Sequence, residues 1–375
     1  MSRWSRTLPF SSDHEPRRLE RWKYRAPGGA TRIFEVAVQV GKPLDVLGLK
    51  GTDLDGIRSY SRFLAETAAQ LYGGATSVEP RERCPICATP LAGAAVELRA
   101  FGVPYVRCPE CGHVLVARQP AAAELDRVFT ESGEHSATYV DQDALEVRMR
   151  EIVEPKLAWC LESFRRLRGR EPRRAIDVGA GGGHFLAGAE RQGLAVEGFE
   201  KSRASRAFAR QAFGLELRDD EFTGAAVEPA DLVTFWGLLE YQQEPRRFLA
   251  AARAAVAPEG MLVVEVPRVD ALGTLVQASD GAVIARHMDP TTHVNGFTDE
   301  SLCTALVEEG FAPAAAWYFG MDGYELLVQA ALRIGDDTLV ARLGELIPVI
   351  QRAADRGRQC DDVVIAAVSL SQGER

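Results

Sequence analysis

The sequence has 375 residues, 46% of them hydrophobic, and its 53 acidic side chains outnumber the 44 basic ones, giving a formal net charge of −9. This length predicts two or more domains with a sizeable core. The acidic excess argues against a nucleic-acid partner, whose phosphates are normally neutralised by Lys and Arg. We find no apolar run of about 18 residues and no apolar stretch of a secretory signal. These absences predict a protein without a membrane partner, and thiols that look unpaired beside Cys-x-x-Cys pairs predict a cytoplasmic location.

Residues 1–80 predict an N-terminal arm followed by a small α+β region, to which the sequence gives no role. The arm, over residues 1–30, is rich in Arg, Ser and Pro. Alternating apolar residues over 31–49 predict a strand, and apolar residues at helical spacing over 56–72 predict a helix with one buried face.

Residues 81–120 contain two Cys-x-x-Cys pairs, Cys84 with Cys87 and Cys108 with Cys111, and 20 residues separate the pairs. Each pair fits a tight turn whose two thiolates share one ion, and two such turns complete a tetrahedral four-cysteine Zn²⁺ site, a zinc ribbon. A closed site has no position for a substrate water, so the predicted zinc is structural. Disulfides are the alternative interpretation. Apolar residues over 121–170 then predict a helical linker with one long helix over 145–167.

Residues 174–183 combine a short apolar strand with a cluster of glycines. Asp177 lies two residues before Gly179, and Gly181 and Gly183 follow. A strand, a tight glycine turn and a helix bring the backbone close to a ligand at the N-terminus of the helix. A dinucleotide-binding fingerprint requires Gly or Ala at the position of His184, and a P-loop requires a Lys, which this turn lacks. The turn alone is typical of several kinds of nucleotide binder.

Three more strands are predicted in the next 90 residues. The strand over 194–200 ends in Glu200, about one βα unit beyond the turn, where a carboxylate can accept both hydroxyls of a ribose. A third apolar strand over 231–236 is followed by Glu240 and Tyr241. A Pro-x-Gly turn then leads into a fourth strand over 261–267.

These segments together resemble the class I S-adenosylmethionine-dependent methyltransferases, over roughly residues 145–370. The resemblance implies an α/β fold with a Rossmann-like, doubly wound sheet of seven strands, in a domain over 171–375. It also implies that residues 136–139 belong to a lid beside the methionine end of the cofactor. The implied S-adenosylmethionine site consists of Asp177, Gly179, Gly181, Gly183, Glu200 and Glu240.

Two helical insertions interrupt this pattern, at 268–296 and 323–359. The first lies beyond the carboxyl end of a strand, where doubly wound sheets bind their ligands, and should face the reacting methyl group. It contains His287 and His293, and histidine titrates near neutral pH. We expect His293 or His287 to act as the base, with Tyr241 as a further candidate; the alternative is that the histidines only cap a loop. The second insertion suits either a cover for the substrate or the interface of a homodimer.

A four-cysteine ribbon ahead of such a domain also resembles enzymes that methylate nucleotide-linked sugars and other intermediates of surface polysaccharides and secondary metabolites. The stretch from His293 to Phe297 is similar to a His-x-x-x-Phe stretch of those proteins. The resemblance implies O- or C-methylation of a small polar acceptor, a sugar or a nucleotide-linked sugar. Two alternatives are open: rRNA methylation, against which the acidic composition and the lack of an Asn/Asp-Pro-Pro-Tyr motif count, and a cofactor-binding scaffold without turnover.

Overall fold

The computed structural model describes residues 3–7, 17–26, 29–74, 78–131, 140–277 and 287–370. Its strands are β1 (Trp4–Thr7), β2 (Arg17–Arg25), β3 (Thr31–Val40), β4 (Val78–Pro80), β5 (Val96–Ala100), β6 (Val103–Arg107), β7 (Val114–Val116), β8 (Arg118–Pro120), β9 (Arg174–Val178), β10 (Ala195–Phe199), β11 (Ala230–Trp236), β12 (Val256–Pro267), β13 (Asn295–Gly296), β14 (Phe311–Phe319) and β15 (Asp362–Ser369).

The helices of the described ranges are α1 (Val46–Lys50), α2 (Leu54–Tyr72), α3 (Ala122–Glu131), α4 (Leu145–Arg148), α5 (Glu154–Arg168), α6 (His184–Arg191), α7 (Arg203–Phe213), α8 (Pro245–Ala255), α9 (Leu272–Gln277), α10 (Asp299–Glu308), α11 (Asp322–Ile334), α12 (Leu339–Arg342) and α13 (Ile347–Gly357). Across these ranges, no helix combines the length and the apolar character needed to cross a bilayer.

The main sheet has the strand order β1-β2-β3-β14-β15-β12-β11-β9-β10. Strands β10, β9, β11 and β12 are parallel, whereas β15 is antiparallel to both of its neighbours. Parallel neighbours need crossover connections, which are helical here: α6 joins β9 to β10, and α8 joins β11 to β12. Helix α6 packs on one face of the sheet through Phe185, and α8 packs on the other through Leu249. The predicted Rossmann-like, doubly wound architecture is therefore confirmed.

The sheet has nine strands rather than the expected seven. Six of them, β9–β12 with β14 and β15, belong to the predicted domain. After β10, Phe199 also forms an isolated parallel bridge with Arg218. Strands β1–β3 supply the remaining three, and β3 pairs in parallel with β14, from Ala37 opposite Ala315 to Val40 opposite Tyr318.

Residues 1–30, where composition predicted an arm, thus contain strands β1 and β2 of the main sheet, and β3 lies within the segment 31–49 that was predicted as a strand. Buried residues alternate along both strands: Trp22 and Tyr24 of β2 and Phe34, Val36 and Val38 of β3 are apolar, and Glu20 is the buried charged residue of β2. Arginines alternate with these residues in β2 and point to the other face, which is why this segment looks basic and polar in composition. Burial of the alternate aromatic residues holds these strands on the core.

The ribbon module contains a four-stranded sheet of order β13-β7-β6-β5 and the pair β4-β8. Strand β13 is not part of the predicted ribbon, since it comes from the insertion over 268–296. The long helix predicted over 145–167 is present as α4 and α5, which one π-helical turn over Met149–Val153 connects. The lid predicted at 136–139 lies outside the described residues.

Both insertions contain helices. The first provides α9, followed beyond a gap in the described residues by an irregular segment from His287 to β13. The second provides most of α11, all of α12 and α13, and leads into β15. Its apolar face packs on the N-terminal region, where Val46 and Leu54 join Val328 and Ile347 in one cluster. This insertion therefore covers the N-terminal helices of the same chain.

Candidate functional site

A tight turn after the central strand β9 brings three glycines to the carboxyl edge of the sheet. Gly179, Gly181 and Gly183 have φ of 73°, 53° and 77°. Residues with a Cβ rarely adopt this left-handed backbone conformation. The N–H groups of Gly179 and Ala180 donate to the carbonyl of Phe199 at 2.8 and 3.0 Å, which ties the turn to the end of β10. A Cβ at Gly179 would lie 3.0 Å from Leu238 Cδ1, so the turn has no room for one.

Glu200 faces this turn from the end of β10. Its Oε2 accepts the N–H of Gly181 at 2.8 Å, and its Oε1 accepts the N–H of Ser202 at 2.6 Å. Burial raises the pKa of the Glu200 carboxyl, although these N–H donors favour its charged form. Each oxygen keeps a lone pair beyond the one already used, so the carboxylate can still accept two hydroxyl groups.

Asp177 lies within β9 and is 1% exposed. Its Oδ1 accepts the hydroxyl of Thr234 from the neighbouring strand β11 at 2.7 Å. Burial raises the pKa of the Asp177 carboxyl to about 7. A cation near this group would stabilise its charged form.

Glu240 belongs to a 3₁₀ turn, Leu239–Tyr241, that follows β11. Its side chain is buried, and burial raises the pKa of its carboxyl to about 8. The nearby Glu265 pairs through Oε1 with Nζ of Lys156 at 2.6 Å, and this ammonium lies 4.7 Å from the ring centroid of Trp236. Sequence reasoning missed Glu265 and Lys156, although Glu265 is the one charged residue of the predicted strand over 261–267.

Three buried polar atoms at this edge have no hydrogen-bond partner among the described residues: Glu240 Oε2, Glu265 Oε2 and Trp236 Nε1. A buried polar atom without a partner costs about 1–3 kcal/mol, so these atoms indicate a ligand that supplies the missing partners. The implied cofactor, S-adenosylmethionine, carries an ammonium, a sulfonium and two ribose hydroxyls. Buried carboxylates and a doubly accepting Glu200 are the groups that such a ligand needs, so the residues present fit it.

The three predicted catalytic side chains lie in a row. The ring centroids of Tyr241 and His293 are 4.8 Å apart at an interplanar angle of 69°, and those of His293 and His287 are 6.3 Å apart at 8°. Nε2 of His287 lies 3.0 Å from Oδ2 of Asp361, which is fully buried at the start of β15. Sequence reasoning missed Asp361, because 74 residues separate it from His287 and no local pattern marks the pair.

The segment 237–241 connects the glycine turn with this row of rings. Leu238 packs against Gly179, and Tyr241 contacts His293. Glu240 lies between these two neighbours in sequence. The structure therefore brings the predicted cofactor residues and the predicted base candidates to one edge of the sheet.

The four cysteines of the ribbon form a single cluster, whose Sγ atoms all lie within 4.8 Å of one another. Cys84 and Cys111 are 3.6 Å apart and Cys87 and Cys108 are 3.5 Å apart. These distances exceed a disulfide bond of about 2.05 Å and approach the roughly 3.8 Å between thiolates on one tetrahedral zinc. The disulfide alternative therefore does not fit, whereas a zinc ion does.

The backbone also closes around this cluster in two similar turns. Ala88 and Gly112 each follow a cysteine pair and have φ of 58° and 71°. Their N–H groups donate to the carbonyls of Cys84 and Cys108 at 2.9 and 3.1 Å. The left-handed conformation suits Gly112, but it strains Ala88.

Comparisons with known proteins agree with this geometry. Residues 139–316 match the family model of a methyltransferase domain. No curated protein matches the sequence.

Three solved structures illustrate the structural similarity. The plantazolicin methyltransferase BamL is 12% identical over 66% of this chain and 95% of its own, with a TM-score of 0.44. The magnesium protoporphyrin IX methyltransferase ChlM of Synechocystis PCC 6803 is 15% identical over 66% and 100%, with a TM-score of 0.44. The sugar N-methyltransferase KedS8 of Streptoalloteichus sp ATCC 53650 is 17% identical over 48% and 87%, with a TM-score of 0.36. Similarity this weak says nothing about the acceptor. The family match shows a methyltransferase domain over residues 139–316, in a chain that also carries a cluster of four cysteines.

Proposed function

We propose that this chain methylates an oxygen or carbon atom of a small polar acceptor, a sugar or a nucleotide-linked sugar, with oxygen the favoured atom. Support for the acceptor class comes from the sequence resemblance around His293 and from the row of aromatic and imidazole rings. These rings offer flat faces with a few polar atoms, which suits a polar ring-shaped ligand. The proposed cofactor site consists of Asp177, Gly179, Gly181, Gly183, Glu200 and Glu240.

One observation carries the cofactor assignment: buried carboxylates gather at the glycine turn with acceptor atoms to spare. Glu240 and Glu265 each keep an oxygen without a partner among the described residues, and Asp177 holds a carboxyl whose pKa burial raises to about 7. An empty apolar pocket would not need these groups. A ligand with positive charge and hydroxyl donors turns each of them into a binding contact.

S-adenosylmethionine, when bound, supplies an electrophilic methyl group on a sulfonium. The side chains of this chain then have two tasks. They hold the acceptor in line with the methyl group, for which positioning contributes on the order of 7–11 kcal/mol at best. They also take the proton of an acceptor hydroxyl, and we assign this to His293, whose ring contacts Tyr241 at 4.8 Å. His287, held by Asp361 at 3.0 Å, is the second candidate for the base.

We assign a structural Zn²⁺ to Cys84, Cys87, Cys108 and Cys111. All four thiolates would bind the ion, which leaves no open position for a substrate. Four sulfurs at these distances, three of them buried and that of Cys87 half-buried, cannot all carry negative charge unless a cation lies among them. The metal therefore serves the fold and takes no part in methyl transfer.

Calorimetry with S-adenosylmethionine and S-adenosylhomocysteine tests the cofactor site. We expect micromolar binding to the wild type and a loss of tenfold or more, about 1.4 kcal/mol, in Glu200→Gln. Glu216→Gln is the matched control, because Glu216 is exposed and pairs with Arg210 on the surface. Equal affinity of the two variants would refute the placement of the ribose at Glu200.

Mass spectrometry of reactions with a panel of nucleoside diphosphate hexoses tests the acceptor. The expected result is a product in which one methyl group replaces a hydrogen, formed by the wild type and formed much more slowly by His293→Gln. Transfer to RNA, or binding of the cofactor without any product across sugar acceptors, would overturn the proposed acceptor class. If His293→Gln kept the wild-type rate, the base would be assigned to His287 instead.

A further inference from the structure

The ribbon module and the histidine loop, residues 287–296 with His287 and His293, contribute strands to the same β-sheet. Strand β13 adds to β7, with Asn295 opposite Leu115 and Gly296 opposite Val114. Just before β13, the carbonyl of Val294 accepts the N–H of Val116 at 3.1 Å. The backbone that follows His293 is therefore the outer strand of the ribbon sheet.

A buried tyrosine of the ribbon holds the backbone of His293 itself. The hydroxyl of Tyr105, on β6, donates to the carbonyl of His293 at 2.9 Å, and Tyr105 is fully buried. In the same loop, the hydroxyl of Tyr72 donates to the carbonyl of Pro290 at 2.7 Å. The carbonyl groups of Pro290 and His293 are thus fixed by side chains from outside the methyltransferase core.

Asn295 joins the ribbon to the turn that carries Tyr241. Its Nδ2 donates to the carbonyls of Leu239 and Gln242, at 3.3 and 2.6 Å, which lie on either side of Tyr241. Its Oδ1 must then accept, and it lies 3.0 Å from Nε2 of His113, so His113 carries its proton there. His113 follows the second cysteine pair of the ribbon by two residues.

We infer that the ribbon module is the internal scaffold of the methyl-transfer site, in which Tyr105, His113 and Asn295 are positioning residues that fix His293 against Tyr241. This inference rests on the proposed function, since it assigns the ribbon to the site where His293 acts. The contacts restrain the backbone on both sides of the ring pair, and no ribbon side chain among them is needed for the chemistry. A misplacement of about 1 Å at such a site costs on the order of 100-fold in rate.

Histidine NMR of the full-length, zinc-loaded protein saturated with S-adenosylhomocysteine tests the inference without an acceptor. Nitrogen-15 labelling of the histidines gives ring signals from six residues, and the His293→Gln variant identifies those of His293. We expect Tyr105→Phe, which removes only the hydroxyl, to shift the His293 signals. Tyr24→Phe is the matched control, since its ring is also buried but packs with Trp4 in the N-terminal strands. Unchanged His293 signals in Tyr105→Phe would overturn the inference.

Kinetics then separate positioning from general stability. With an acceptor from the sugar panel, we expect Tyr105→Phe to lower kcat about tenfold or more, with the affinity for S-adenosylhomocysteine within about twofold of wild type. In the His293→Gln background the same substitution should lower kcat no further, because Tyr105 acts through His293. If Tyr105→Phe fails to fold, Asn295→Ala is measured instead, with the same expected shift of His293. If the wild type does not bind S-adenosylhomocysteine, the proposed function is refuted. The NMR comparison of Tyr105→Phe with Tyr24→Phe tests the role of the ribbon separately.

Discussion

Binding of the cofactor should release protons, because the buried carboxyls at its site are largely protonated without it. Burial raises the pKa of Glu240 to about 8 and that of Asp177 to about 7, whereas unfolded chains have values of about 4.3 and 3.9. A raised pKa favours the neutral carboxyl in the folded protein. The resulting stability is fully present below about pH 4 and is lost as the pH rises through about 7–8. A cationic ligand favours the charged carboxylate, so binding is expected to strengthen as the pH rises.

The magnitude follows from the pKa of Glu240. At pH 6.0, two units below a pKa of about 8, ionising this group costs about 2.7 kcal/mol, and at pH 7.5 about 0.9 kcal/mol. The difference corresponds to about 20-fold weaker binding of S-adenosylmethionine at pH 6.0. Asp177, with a pKa of about 7, adds a smaller factor of the same sign. The comparison is limited to the range from pH 6.0 to 7.5, because the amino group of S-adenosylmethionine loses its proton at higher pH.

Calorimetry at pH 6.0 and 7.5, in two buffers of different ionisation enthalpy, measures both the affinity and the number of protons released. Glu240→Gln removes one titrating group, and we expect it to reduce the proton release and to flatten most of the pH dependence. Affinity that does not change between the two pH values, with no proton release, would refute the placement of the cofactor cation at these carboxyls. An unchanged pH dependence in Glu240→Gln would show that another group binds the proton.

Three further predictions concern the metal content and the stability of the fold. Cys108→Ser should reduce bound zinc from about one ion per chain to none and lower the melting temperature; full zinc content by elemental analysis would contradict the four-cysteine site. Ala88→Gly relieves a left-handed backbone and should raise the free energy of unfolding by up to about 1 kcal/mol, measured by urea titration, whereas a loss of stability would show that the Ala88 methyl group is needed. Glu20→Ala leaves the buried guanidinium of Arg358 without its carboxylate and should cost about 3–5 kcal/mol in the same titration, and a cost below about 1 kcal/mol would mean that this ion pair contributes little to stability.

The cofactor half of the site could be predicted because its parts are close in sequence. Asp177, the glycine turn and Glu200 span one strand, one helix and the next strand, and the geometry of a βα unit brings their ends together. The contact between Gly181 and Glu200 joins residues only 19 positions apart. Local pattern therefore carries almost all the information needed to place them.

The N-terminal strands and the Lys156–Glu265 pair could not be predicted in the same way. The pairing of Ala37 with Ala315 depends on which edge of the folded sheet has no other strand beside it. Alternating apolar residues predict a strand, but they do not identify the strand with which it pairs. Similarly, Glu265 in a strand indicates only that a buried charge needs a partner. Its pairing with Lys156 becomes visible only when α5 crosses the end of β12.

The ribbon and the histidine loop show the same limit in a way that bears on function. Each was found from side-chain pattern, the ribbon from its cysteine spacing and the loop from its histidines. Two of the hydrogen bonds that join them end on backbone carbonyls, at His293 and Val294, and a third joins the side chains of His113 and Asn295. Every residue offers a carbonyl, so the residue types of the loop do not predict the two carbonyl contacts. Substitutions before Asn295 that keep the path of the loop should therefore preserve the scaffold. Loss of the donors at Tyr105 or Asn295 should not, because these side chains supply the hydrogens that the carbonyls of His293, Leu239 and Gln242 receive.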